Sequence, residues 1–155
     1  MLYLGGIESN LRILQDLEKV EHHETALFPL DVDETVTLTA LDTANTFSDY
    51  VEIADDQAVT LSSKFATYRG HICSMVVEEV SEIDTVYEVE ISYGASHIVI
   101  TRWRFAGETK FTHPVHQLRV RASDIPAGET VYYRMRTATA VADTALVQFR
   151  YFLHD

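Results

Sequence analysis

The stretch TVYEVEISYGASHIVITRWRF, residues 85–105, decides the fold. On either side of its turn-forming YGAS, apolar and polar residues alternate with a period of two, the pattern of a strand with one buried face. Two such runs joined by a short turn containing Gly read as a hairpin. Pairing Tyr87, Val89 and Ile91 with Trp103, Thr101 and Val99 keeps the apolar side chains together, whereas a slip by one residue would split them between faces. That register sets Glu88 opposite Arg102, with Glu90 nearby and Arg104 alongside, and it places Trp103 in the core.

The same period extends outward from this hairpin. Strands are expected at residues 35–41, 50–54, 58–61, 70–79, 85–93, 97–106, 115–122, 130–137 and 145–153, separated by turn chemistry such as ADDQ, YGAS, AGET and IPAGE. Short strands with no helix between them indicate antiparallel sheets in a sandwich or barrel. Counted back from residue 153, eight strands make a jelly roll and residues 35–41 are one extra. In that order 85–93 lies between 97–106 and 130–137. With Tyr133 and Met135 facing inward, Arg134 and Arg136 face outward, giving an Arg, Glu, Arg ladder on an exposed sheet. Each exposed pair contributes about 0.2–1 kcal/mol, so such a ladder specifies register more than it holds the fold.

Before the strands, IESNLRILQDLEKVEHHE follows Gly5 and Gly6 and places Ile7, Leu11, Ile13, Leu14, Leu17 and Val20 on about half of a helical wheel. Ser9 is the candidate N-cap. A helix of roughly 14 residues does not stand alone in water, so this stripe must pack on its own sandwich or on other copies. Two regions are therefore expected: a helical leader at 1–34 and a β-sandwich domain at 35–155.

A chain of 155 residues suffices for one domain without a disulfide. The single Cys73 reads as a small buried apolar residue. The formal net charge of −12 is unevenly spread: residues 1–60 carry thirteen Asp/Glu against two Lys/Arg, 61–95 six against two, and 96–155 five against eight. An acidic total argues against nonspecific binding to nucleic acid. No apolar run approaches the length of a membrane span, and MLYLGGIESN lacks the features of a signal peptide, so neither a membrane nor export is expected. Arg119, Arg121 and Arg150 have no obvious acidic neighbour and are the candidates for contact with a partner.

His113 and His116 in HPVH supply two imidazoles, short of a zinc set, and the histidines of EHHE, residues 21–24, suit a helix C-terminus. DVDET and ADDQ lack the spacing of a calcium loop. No nucleophile, phosphate-loop or dinucleotide motif is present. The expectation is a protein that is not an enzyme, with no catalytic residues, no metal and no cofactor. Of the aromatic residues, outward-facing Tyr132 is the best candidate for a sugar platform.

FSDYVEIADDQAVTLSSKF, VEISYGAS followed by VITRWRF, and LRVRASDIPAGETVYYRM together resemble small jelly-roll structural proteins of tailed bacteriophages and related viruses, those that decorate or cement a capsid. The resemblance covers about residues 47–137. It implies a virion component made in the host cytoplasm, a homo-oligomer with a trimer favoured, docked on a major capsid protein or another virion protein. Ile7, Leu11, Leu14 and Leu17, with Arg119, Arg121 and Arg150, are then the expected interaction residues. The alternative is a carbohydrate- or receptor-binding module on the same fold, with a glycan as ligand.

Overall fold

The computed structural model describes residues 25–107 and 124–154, and the backbone of 117–119. The expected leader helix, with Ile7, Leu11, Leu14 and Leu17, lies outside the described residues, as do Arg121 and the HPVH and EHHE histidines. What is described is a sandwich of two antiparallel sheets. Its strands are β1 (Ala26–Phe28), β2 (Val36–Thr39), β3 (Val51–Glu52), β4 (Gly70–Val80), β5 (Val86–Tyr93), β6 (Ile98–Ala106), β7 (Gln117–Arg119), β8 (Val131–Thr137) and β9 (Thr144–Leu153). One sheet runs β1-β9-β4-β7, with β2 also paired to β9; the other runs β3-β8-β5-β6. Strand β5 thus lies between β6 and β8, where the count of strands put it.

Alternation supplies the core between the sheets. Along β8, Val131, Tyr133, Met135 and Thr137 are buried while Tyr132, Arg134 and Arg136 face the other way. Leu38, Ile72, Met75, Val89, Ile91 and Phe149 are fully buried and meet in one cluster. Tyr87 is buried too, its hydroxyl donating to the Glu82 carbonyl at 2.8 Å and accepting from the Glu82 N–H at 3.1 Å. A buried hydroxyl without such partners would cost about 1–3 kcal/mol. Trp103 is also in the core, 8% exposed.

Three expectations need correction. Residues 58–61 do not form a strand: Ala54 and Thr60 share one isolated bridge, then Thr60 caps a short 3-10 helix at Leu61–Phe65 by accepting the Ser63 N–H. A strand not expected from the pattern, β1, pairs with β9 ahead of residue 35 and sends Phe28 into the core. The register of the β5–β6 hairpin is displaced by two residues, so that Tyr87 meets Phe105, Val89 meets Trp103 and Ile91 meets Thr101. The loop, residues 94–97, is one longer than the expected register allowed, and a bulge between Ile91 and Ser92 adds one more. A shift of two preserves the face of every side chain before the bulge. Beyond it the parity changes: Val99, expected inside, is exposed, and Ile100 packs against the core in its place.

Candidate functional site

The displaced register rewrites the charge ladder. Glu88 lies opposite Arg104 on β6 and Arg136 on β8; Glu90 lies opposite Arg102 and Arg134. The Arg134 Nε donates to Glu90 Oε1 at 2.8 Å and the Arg102 Nε to Oε2 at 2.9 Å, while Arg102 Nη2 also bonds Oε2. Arg136 Nη2 reaches Glu88 Oε2 at 2.9 Å. Two carboxylates thus stand among four guanidinium groups, so this face is locally positive on an acidic chain. Arg104 is exposed and, among the described residues, makes no ion pair.

This face was expected to be open, and at its centre it is not. The segment before β3 runs along the free edge of β8, tied by Asn45 N–H to the Thr137 carbonyl at 2.8 Å and Ser48 N–H to the Met135 carbonyl at 3.0 Å. It lays Phe47 over the guanidinium groups of Arg134 and Arg136, each 4.5 Å from the ring centre, and of Arg102 at 5.6 Å. Tyr50 donates its hydroxyl to Glu90 Oε1 at 2.9 Å. Glu90 is consequently 0% exposed. Burial pushes its carboxyl upward, but the bonds from Arg134, Arg102 and Tyr50 outweigh burial and hold it below the usual carboxylate range. The same surroundings, burial first and Glu90 second, raise the Tyr50 phenol.

The hairpin loop completes this cover. His97, held at φ 49° by its N–H bond to the Gly94 carbonyl, stacks on Tyr50 with ring centres 3.8 Å apart and planes 3° from parallel. It also packs nearly perpendicular to Tyr132 at 4.9 Å. Tyr132 is therefore half-buried beneath a histidine and is not a free platform.

The other sheet carries the residues expected to meet a partner. Ser74 on β4 pairs with Arg119 on β7 and with Arg150 on β9, so both arginine positions lie in one cross-strand row through the middle of the sheet. Arg150 is exposed and, among the described residues, has no ion-pair partner. Half-buried Val76, Gln148 and Leu27 stand in or beside its row. Cys73, expected to be a small buried apolar residue, is half-buried at a bulge in β4; burial raises its thiol, with Arg150 acting the other way. A groove of about 330 Å³ opens at one end of this face between Thr37, Glu79, Ser81, Thr144 and Leu146.

The acidic turns have structural work. Asp55 of ADDQ is buried and accepts the N–H groups of Gln57 at 3.0 Å and Val59 at 2.8 Å, which closes the turn after β3. Asp31 and Asp33 are exposed. Sequence reasoning missed Phe47 and Tyr50 as parts of the ladder. Their signal was two aromatics three residues apart in the otherwise polar TFSDY. No protein-family model matches this chain, and neither does any curated protein or solved structure.

Proposed function

We propose that the chain is a non-enzymatic jelly-roll virion protein of the decoration or cement type, which self-associates and docks on a major capsid protein. The paths β1-β9-β4-β7 and β3-β8-β5-β6 have the strand order of two interleaved Greek keys, which supports the jelly-roll reading. The observation that carries the docking role is the Arg119, Ser74, Arg150 row across the middle of one sheet. A cation among half-buried apolar and neutral polar positions is suited to a protein surface of opposite charge. The first sixty residues of another copy, with thirteen carboxylates against two basic groups, supply that charge. The occupant proposed for this face is therefore a neighbouring copy, in a trimer that leaves other surfaces for the capsid.

Mass spectrometry of purified particles is expected to find the chain at fixed stoichiometry with the major capsid protein. Particles that assemble without it, from cells in which it is made in quantity, would overturn the virion role.

A further inference from the structure

We propose that His71, Asp124 and His154 form a binding site for a divalent first-row transition metal ion, with zinc as the best-fitting case. The three residues come from distant parts of the sequence, each offers one ligand atom, and these atoms all lie within 4.8 Å of one another. The closest approaches are His154 Nε2 to Asp124 Oδ1 at 3.2 Å and His71 Nδ1 to the same oxygen at 3.8 Å. Zinc bonds to nitrogen and oxygen of about 2.0–2.2 Å put tetrahedral ligand atoms roughly 3.3–3.6 Å apart. Of the three edges, His154 to Asp124 is already close to that spacing, His71 to Asp124 must close by a few tenths of an ångström, and the edge between the two imidazoles, within 4.8 Å, is closed by up to about 1.5 Å through rotation of the histidine side chains. Two imidazoles and a carboxylate are a donor set that suits zinc, and also iron or cobalt, better than calcium or magnesium.

The backbone holds these ligands together. His71 pairs with Phe152 across β4 and β9, and the His154 N–H donates to the Arg69 carbonyl at 2.8 Å. Asp124 precedes Ile125, which exchanges two main-chain bonds with Gly70 at 2.7 and 3.1 Å. Only glycine fits at position 70, because a Cβ there would lie 2.2 Å from the Phe152 carbonyl oxygen. The Phe152 ring packs against both imidazoles, with centres 3.6 Å from His71 and 4.9 Å from His154, and so limits their rotation. Arg69 Nη1 stands 3.6 Å from Asp124 Oδ2, the oxygen turned from the histidines, and orients the carboxylate from outside. The side chains of His71 and His154 are 22% and 24% exposed and that of Asp124 44%, so solvent, the source of a fourth ligand, reaches the cluster. An ion here ties the start of β4, the end of β9 and the segment at Asp124 to one point.

Isothermal titration of the full chain with zinc chloride is the test. One ion per chain is expected with a micromolar or tighter Kd, and His154→Ala and Asp124→Ala should each weaken binding at least tenfold with an unchanged circular dichroism spectrum. The double variant His113→Ala/His116→Ala should leave that binding in place. Cobalt should give visible absorption of a four- or five-coordinate site that disappears in His154→Ala. Absence of binding, binding that survives both the His154 and Asp124 variants, or binding that follows His113 and His116 would overturn the assignment.

Discussion

The outer faces of the two sheets solve opposite problems with the same residue type. On β3-β8-β5-β6, Arg102 and Arg134 converge on Glu90 and Phe47 and Tyr50 cover them, so the charge at the centre of the face is paired within the chain and Arg104 alone of the four ladder arginines makes no ion pair among the described residues. On β1-β9-β4-β7, Arg150 stands exposed between neutral Ser74 and Leu27, with the Arg119 position beyond Ser74 and no carboxylate in the row. An arginine's role is thus set by what its cross-strand partner is and by whether a loop crosses above it. The first arrangement specifies structure; the second leaves binding energy unspent.

The sharpest way to break this contrast is to remove the buried carboxylate. Glu90→Ala leaves two guanidinium groups facing each other beneath an aromatic cover, and should cost about 3 kcal/mol, the low end for breaking a buried pair because Arg102 and Arg134 keep partial contact with water. Urea denaturation measures this; a loss within ~0.5 kcal/mol, the usual range for a surface change, would mean that the cover does not seal the site.

Tyr50→Phe removes a hydrogen bond to a charged group and should cost roughly 1.5–3 kcal/mol while leaving the stacking surface for His97. A smaller effect is expected from acid. Because the folded Glu90 carboxyl lies below its unfolded value, the unfolded state takes up the proton first as pH falls. The stabilisation is complete above the unfolded value near 4.3 and is lost as pH falls through the folded one. Glu90→Gln should flatten the stability–pH curve in that interval, and an unchanged slope would show that another carboxylate controls it. At the bottom of the scale, Arg150→Glu should alter monomer stability by no more than ~0.5 kcal/mol, since the side chain is exposed.

Much of this architecture is legible in the sequence, because period-two alternation identifies a strand's buried face whatever its neighbours are. It placed Trp103, Tyr133 and Met135 inside and the four ladder arginines outside. Alternation does not encode loop length or bulges. The hairpin register was therefore displaced by two, and Val99 was placed on the wrong face. Nor does it reveal what crosses over a strand: Phe47 and Tyr50 precede Glu90 by some forty positions, and only the route of their segment along β8 makes them its cover. The same limit hid His71, Asp124 and His154, whose proximity depends on the main-chain bonds at Gly70 and Arg69 and on no local spacing.

The contrast between the faces is tested most directly by multi-angle light scattering of the wild-type chain and Arg150→Glu at micromolar concentration. Three chain masses are expected for the wild type and one for the variant. A monomeric wild type, or a trimer that Arg150→Glu leaves intact, would contradict the assignment of the Arg150 face as the docking surface.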